Sequence, residues 1–224
     1  MDDPACDEAM LLRTVDQFSL INRLVGRYRT ILHRHVLQQM KRDPAREYHL
    51  LDLGAGGCDI PVWLLAEARR QKLKLRVTAL DGDERIVRHA QKKCAGVIGL
   101  EIHHAPLSEM RRFAPVDFIF MNHVLHHLPD EIIPGVVREM AALARCCWIV
   151  SDLLRSRWAY TGFHLVGPFF TRSFAFEDGL RSIRRGFTSA DLFRYTKNSI
   201  PSDRVTTEHL IPGRIVLIGR GDWI

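Results

Sequence analysis

One stretch of the sequence, HLLDLGAGGCDIP at residues 49–61, constrains the fold more than any other. Apolar residues lead into a glycine turn, and an amphipathic run follows with Pro61 in its first turn. This order is typical of a strand, a tight turn and the start of a helix. Gly54 and Gly56 have no Cβ, so the backbone can turn sharply there and approach a ligand closely. The stretch predicts the opening unit of a nucleotide-binding α/β domain.

Strand and helix patterns alternate after this unit. Alternation of this kind predicts right-handed crossovers and a doubly wound, mainly parallel sheet with helices on both faces. The C-terminal segment 203–221 reads as a hairpin that turns at Pro212-Gly213. The predicted strands lie near 49–53, 74–80, 98–103, 116–121 and 145–151, and the predicted helices near 59–71, 83–94 and 130–144, with a helical turn near 107–112.

Composition limits the class of protein. The chain has 224 residues, of which 46% are hydrophobic and 26% charged, as in ordinary globular domains. It contains no apolar run of about 18 residues, and its acidic N-terminus lacks the apolar core of a secretory signal. The five cysteines follow no metal or disulfide spacing. We therefore expect a cytoplasmic protein with reduced thiols and no bound metal.

The net charge of +6 is concentrated in one region, since many of the arginines lie between residues 154 and 194. A solvated basic face explains this, and so does a surface that meets anionic lipid or an acidic partner protein. A nucleic-acid interface is less favoured, because this region contains no lysine. The oligomeric state is left open.

The sequence outside the alternating strands and helices predicts an N-terminal cap and an insert in addition to the α/β domain. Residues 1–9 are expected to lack order, and residues 10–40 show helical spacing that Gly26 interrupts. We therefore expect an N-terminal helical cap over residues 1–44 and an α/β domain over residues 45–224. An aromatic-rich insert at about 152–200, in which Thr188 begins a helix, is expected to act as a lid. The cap either only packs on the sheet or also closes over a ligand site.

Polar residues at the predicted strand ends are candidates for ligand binding, because ligands of such sheets bind at the carboxyl ends of the strands. Asp81 follows the second strand, where its carboxylate could accept two hydrogen bonds from a ribose diol. Asp83 is the better candidate for capping the next helix. Asn122 and three histidines follow the fourth strand.

The glycine turn favours a ligand without phosphate. A dinucleotide fingerprint requires a third glycine, and Asp59 occupies that position. Its carboxylate would repel a pyrophosphate at the helix N-terminus, whereas Asp52 and Asp59 suit a cationic ligand. S-adenosylmethionine carries adenosine, a sulfonium and an amino-acid tail and fits this pattern. NAD remains the alternative.

Three stretches together resemble the class I S-adenosylmethionine-dependent methyltransferases of small molecules. They are HLLDLGAGGCDIP, LDGDERI and VDFIFMNHVLHHLPD. INRLVGRYR at 21–29 and SIRRGFTSADLF at 182–193 further resemble bacterial methyltransferases linked to type III polyketide synthases and phenolic lipids. The resemblance implies a seven-stranded, mainly parallel sheet whose C-terminal hairpin supplies the last two strands, one of them antiparallel to the rest.

The resemblance also implies residue roles. The glycine turn with Asp52 behind it would hold the methionine end, Asp81 the ribose, and Gly82 would lie beside the adenine. Where relatives often place an acidic residue for the adenine amine, this chain has His104, so the contact falls to its ring or to the Ala105 backbone. The implied cofactor-binding set is Asp52, Gly54, Ala55, Gly56, Asp81, Gly82, His104, Ala105, Asn122 and His123.

The expected activity is transfer of a methyl group from S-adenosylmethionine to a small apolar or phenolic acceptor, preferably at oxygen, with S-adenosylhomocysteine as product. A hydroxyl acceptor benefits from a general base, for which histidine is suited. His126 and His123 are the catalytic candidates, whereas we expect His127 to be structural. The alternatives are an NAD-dependent oxidoreductase and a non-catalytic cofactor-binding subunit.

Overall fold

The computed structural model describes residues 6–166, 174–198 and 200–221. Its centre is one seven-stranded sheet with the order β3-β2-β1-β4-β5-β7-β6. The first five strands pair in parallel, and β7 pairs antiparallel with both β5 and β6. The predicted sheet with its C-terminal hairpin is confirmed. The strands are β1 (Glu47–Leu53), β2 (Lys74–Asp81), β3 (Leu100–His104), β4 (Val116–Asn122), β5 (Ala144–Leu153), β6 (Val205–Leu210) and β7 (Arg214–Arg220).

Helices cover both faces of this sheet. The segment from Tyr28 to Met40 is continuous, with a π-helical turn at His33–Leu37 between α2 and α3. Short 3₁₀ turns lie at Leu107–Phe113, Leu125–His127 and Ser202–Arg204. The α-helices are α1 (Glu8–Val25), α2 (Tyr28–Leu32), α3 (Gln38–Met40), α4 (Asp59–Arg70), α5 (Glu84–Lys93), α6 (Ile133–Leu143), α7 (Arg157–Val166), α8 (Ala175–Arg185) and α9 (Ser189–Thr196).

The N-terminal segment departs from the prediction in one detail. The Asp7 side chain accepts a hydrogen bond from the Met10 backbone, and this cap begins α1 at Glu8. The expectation of disorder over residues 1–9 was therefore wrong for residues 6–9, while residues 1–5 lie outside the described chain. The predicted break is confirmed, because α1 ends at Val25 and Gly26 follows as its cap.

Burial explains why the sheet lies at the centre. Every residue of β4 is buried, as expected for a parallel strand covered on both faces. One face packs against α2, α3 and α4, and the other against α6, α9 and the 3₁₀ turn at Leu107–Phe113. The predicted cap at Thr188 is confirmed as a capping box with Asp191. Among the described helices, none combines the length and apolarity needed to cross a bilayer.

The central sheet predicts the effect of one glycine substitution. A Cβ at Gly219 in β7 would lie 2.0 Å from the Trp148 ring, whereas a Cβ at Gly135 in α6 would meet nothing within 4 Å. Gly219→Ala should therefore lower the free energy of unfolding by about 1–3 kcal/mol through overpacking. The control Gly135→Ala should keep or slightly raise it. Urea denaturation followed by circular dichroism measures both, and equal stability of the two variants would contradict this packing.

Candidate active site

Two adjoining cavities open at the carboxyl ends of the central strands. The first, of about 650 Å³, is lined by the glycine turn, the ends of β2 and β4 and the side of α1. The second, of about 580 Å³, lies between α1, α7, α8 and the β6–β7 turn. Four residues line both: Phe18, Asn22, His123 and His127. The shared residues show that the two cavities are neighbours.

The glycine turn is held open by the neighbouring strand. The backbone N–H groups of Gly54 and Ala55 both donate to the Leu80 carbonyl, at 2.8 and 2.9 Å. Gly54 and Gly56 have φ values of +70° and +53°, where a side chain would be strained. A Cβ at Gly56 would meet no atom within 4 Å, so its surface faces open space. The turn therefore presents bare backbone to the first cavity.

Asp81 ties the glycine turn to the end of β2. Its Oδ2 accepts a hydrogen bond from the Gly56 N–H at 2.9 Å, and its Oδ1 accepts one from the Asp83 N–H at 3.0 Å. Each carboxylate oxygen has two lone pairs, so each can accept one further bond. The side chain also lines the first cavity. The arrangement suits the predicted role of Asp81 in accepting two hydroxyl groups of a ribose.

Three carboxyl groups surround the turn and make the first cavity acidic. Burial, with the nearby charges of Asp59 and Asp81, raises the pKa of Asp52 well above its ordinary value. Burial likewise raises the pKa values of Asp59 and Asp81. The Ser19 hydroxyl donates to Asp59 Oδ1, while Asp59 Oδ2 is buried without a hydrogen-bond partner in the described chain. A cationic ligand in this cavity would relieve the repulsion and satisfy the unpaired oxygen.

The two candidates for adenine contact are placed differently. Ala105 is buried and lines the first cavity, but its backbone N–H donates to the Asp81 carbonyl at 3.0 Å. The exposed His104 ring lies with Nε2 3.1 Å from the Gly82 carbonyl oxygen and is not part of the cavity lining. The ring thus contacts the Gly82 turn, and the cavity beside this turn is lined by Ala105 and Leu107.

A buried arginine organises the floor of the second cavity. The Arg214 guanidinium donates to the Asn122 side-chain oxygen and to Nε2 of His123, and reaches the Ser151 hydroxyl at 2.8 Å. Burial and the adjacent guanidinium lower the pKa of His123 well below its ordinary value. His123 is therefore a neutral ring whose Nε2 is already occupied. This leaves it poorly suited to accept a proton from a substrate.

His126 forms a second polar pair beside it. Its Nδ1 lies 2.7 Å from Oδ1 of Asp152, and both side chains are almost fully buried. Burial by itself raises the pKa of Asp152, but the charge and hydrogen bond of His126 bring the pKa below its ordinary value. His126 lines the second cavity, and its Nε2 has no partner in the described chain. In the tautomer that directs Nδ1–H to the carboxylate, Nε2 carries the lone pair.

These groups also meet the geometric requirement for a metal site. Ligand atoms of His123, His126 and Asp152 lie within 4.8 Å of one another. However, His123 Nε2 accepts from Arg214, and the facing nitrogen of His126 is bonded to Asp152. A metal cation would also lie beside a guanidinium cation, which costs electrostatic energy. The bonding favours a hydrogen-bonded network over metal coordination.

The structure brings most of the predicted site residues together and adds two. At the end of β4, Asn122 lines the first cavity and the following His123 lines both, while their contact with the cofactor stays a prediction. Asp152 and Arg214 were missed. Asp152 ends a predicted strand and could have been noticed for that reason, but Arg214 follows a surface turn and gives no comparable signal. His127, predicted to be structural, lines both cavities.

Comparison with known families identifies the domain. Residues 50–146, which contain the glycine turn, Asp81 and the end of β4, match the family model described as "Methyltransferase domain". These residues form a methyltransferase domain of class I, the S-adenosylmethionine-dependent type. No curated protein sequence matches the chain.

Solved methyltransferase structures share the fold of this chain at low sequence identity. The CurJ carbon methyltransferase matches with a TM-score of 0.67 and 13% identity, over 96% of this chain and 61% of that one. Human N-acetylserotonin methyltransferase with S-adenosylmethionine matches with a TM-score of 0.61 and 13% identity, over 96% and 56%. Magnesium protoporphyrin IX methyltransferase from Synechocystis PCC 6803 with S-adenosylmethionine matches with a TM-score of 0.56 and 15% identity, over 98% and 100%.

The predicted enzyme class and cofactor are thereby confirmed, and the NAD alternative is not supported. The first cavity fits S-adenosylmethionine on physical grounds as well. Its acidic lining favours a sulfonium and an ammonium group, and the glycine turn leaves room for close backbone contact. A pyrophosphate would face three carboxyl groups there, which like-charge repulsion disfavours.

Asp59 provides a test of this electrostatic fit. Its raised pKa means that the folded apo protein binds this proton more tightly than the unfolded chain, so stability falls as pH rises through the raised value. Asp59→Asn should therefore raise the melting temperature of the apo protein at neutral pH. It should also weaken S-adenosylmethionine binding by about 1.5–3 kcal/mol. Calorimetric titration and thermal melting measure the two effects.

A matched control is Asp203→Asn, because Asp203 is an exposed carboxylate far along the chain in the 3₁₀ turn before β6. It should change neither cofactor affinity nor the melting temperature of the apo protein. Undiminished cofactor binding by the Asp59→Asn variant would contradict the proposed electrostatic fit. The affinity of the wild-type protein for S-adenosylmethionine should also fall on acidification, because the carboxyl groups with raised pKa values then take up protons.

Proposed function

We propose that the protein transfers a methyl group from S-adenosylmethionine to the oxygen of a small apolar or phenolic acceptor bound in the second cavity. The observation that carries this proposal is the His126–Asp152 pair, because His126 lines a cavity next to the cofactor cavity and its Nε2 has no hydrogen-bond partner in the described chain. Solved structures with a similar fold include N-acetylserotonin methyltransferase and an O-methyltransferase family protein from Burkholderia thailandensis. Their names agree with the proposal but leave the acceptor unassigned.

In this proposal the first cavity holds the cofactor. The Gly54–Gly56 turn and the Asp52 and Asp59 carboxyl groups would hold the methionine end, and Asp81 the ribose. Gly82 and Ala105 would lie beside the adenine. When bound, S-adenosylmethionine supplies an electrophilic methyl group on a sulfonium. The role of the chain is to align an acceptor oxygen with that group and to exclude water, since positioning supplies much of the rate in such displacements.

His126 would act as the general base. As the acceptor oxygen attacks, its proton passes to Nε2 of His126, and the imidazolium that forms is stabilised by Asp152 at 2.7 Å. His123, the other candidate, instead holds Asn122 and the cavity wall in place through Arg214. His127 lines both cavities and would contact the acceptor near the transferred group.

The cap and the insert would enclose both ligands. Phe18 and Asn22 on α1 line the two cavities, so the 1–44 segment would cover the cofactor and the acceptor together. In the insert at 152–200, Trp158 and Phe163 on α7 and Ile183 on α8 line the second cavity, which is mainly apolar. Phe169 and Phe170, which the prediction also assigned to the lid, lie outside the described residues. This apolar wall supports an acceptor with an aromatic or alkyl body.

A cytoplasmic location stays a prediction.

The base assignment predicts the behaviour of two variants. His126→Gln removes the proton acceptor, and Asp152→Asn removes the charge that stabilises the imidazolium. Both should lower kcat by about 10²–10⁴-fold, the range for general-base catalysis. Affinity for S-adenosylhomocysteine should stay unchanged, because neither side chain lines the first cavity. Methylation of para-octylphenol, or of another hydroxyl acceptor found by screening with labelled cofactor, measures kcat.

His164→Gln serves as the control, since His164 is an exposed histidine on α7 outside the lining of the second cavity. Its kcat should equal that of the wild type. Full activity of both the His126 and the Asp152 variants would refute the base assignment. A protein that binds S-adenosylmethionine but methylates no hydroxyl acceptor, in the screen or in lipid extracts, would favour a non-catalytic binding subunit.

A further inference from the structure

Arg214 is the most unusual charged group in the structure, because it is a cation buried in a mainly apolar cavity. Its side chain is 2% exposed, yet it belongs to the lining of the second cavity. Burial of a charge is costly unless the charge is paired. Arg34, by contrast, forms a salt bridge with Glu208 at the protein surface. Arg214 therefore requires an explanation that packing alone does not give.

The hydrogen-bond partners of Arg214 are neutral. Its two terminal nitrogens donate to the Asn122 and Ser151 side chains and to the His123 ring. In the described chain, no carboxylate lies within salt-bridge distance of the guanidinium. The nearest buried acid, Asp152, is bonded to His126. The guanidinium thus has dipoles as its hydrogen-bond partners and no direct ion pair, and the nearby Asp152 charge favours its charged form.

The guanidinium also retains binding capacity. An arginine has five N–H donors, and the three bonds to Asn122, Ser151 and His123 use three of them. Its Nε is buried and has no acceptor among the described residues. Burial lowers the pKa of Arg214 to about 10, which still leaves the side chain charged at neutral pH. A rigidly held cation with unused donors in a cavity wall is suited to bind an oxyanion.

We propose that Arg214 binds an anionic oxygen group of the acceptor, so that the preferred acceptor is an amphiphilic acid rather than a neutral alcohol. This inference rests on the proposed function, since it assigns the second cavity to the acceptor. The anionic group is a carboxylate or an ionised phenol next to the hydroxyl that is methylated, so that His126 still has a hydroxyl proton to accept. Its apolar body lies along Phe163 and Ile183, and its polar end lies beside Arg214 and His126.

The test compares a matched pair of ligands by calorimetry with S-adenosylhomocysteine present and without turnover. The probes are para-octylbenzoic acid and para-octylbenzamide, which share shape and apolar body but differ in charge. At neutral pH the wild-type protein should bind the acid about 10- to 100-fold more tightly than the amide, the range for charge-assisted hydrogen bonds. A second arm uses para-octylphenol and its more acidic ortho-nitro derivative, and separates a phenolate preference from a carboxylate preference.

Two substitutions complete the test. Arg214→Met should reduce the acid-to-amide ratio to about one, whereas Arg214→Lys should keep part of it, because the charge remains without the guanidinium geometry. Arg34→Met removes an exposed cation that pairs with Glu208 and should leave the ratio unchanged. Melting temperature and S-adenosylhomocysteine affinity show whether each variant is folded.

Several outcomes would overturn the proposal. Equal binding of the charged and neutral probes in both arms by the wild-type protein would do so without any variant. An unchanged preference in a folded Arg214→Met variant would do so too. The outcome is separate from that of the base assignment, because binding of these probes requires neither His126 nor methyl transfer. Loss of activity in the His126 variant with an intact charge preference would support both proposals independently.

Discussion

Three strands of the sheet are joined at one end by a single buried guanidinium. Arg214 at the start of β7 bonds to Asn122 at the end of β4 and to Ser151 on β5. The same group occupies Nε2 of His123, which fixes that ring as neutral. Because buried polar networks are costly when partly satisfied, each member holds its neighbours in place. The floor between the two cavities, and with it the geometry for methyl transfer, depends on this network.

Charge is divided between the two cavities in a way that follows from burial. Around the glycine turn, Asp52, Asp59 and Asp81 lie close together without a buried cation, and their pKa values are raised. At the second cavity Arg214 is a buried cation without a direct ion pair, although the charge of Asp152 lies nearby. Each cavity thus has a buried charged group that its proposed ligand could pair with directly, a sulfonium in one case and an oxyanion in the other. Binding would relieve electrostatic cost that the empty fold carries.

The sequence predicted most of the fold because its signals are local. Hydrophobic runs marked the five parallel strands, Pro212-Gly213 marked the hairpin, and Thr188 marked a helix start through its own capping box. The start of α1 was misplaced by two residues because the cap at Asp7 lies in an acidic, polar segment without apolar periodicity. The helical break at Gly26 was visible because glycine favours helix ends. Local hydrogen bonding decides such features, so a sequence reveals them.

By itself the sequence determined the α/β class and the glycine turn, and Asp59 at the third-glycine position made S-adenosylmethionine a better ligand than NAD. Those residues lie within a few positions of one another, so their chemistry is set by chain proximity. Tertiary structure alone decided which histidine has a partner. Asp152 and Arg214 are separated by 26 and 91 residues from the histidines that they contact. Pairing across neighbouring strands brings them together, and that register is fixed only when the whole sheet is assembled.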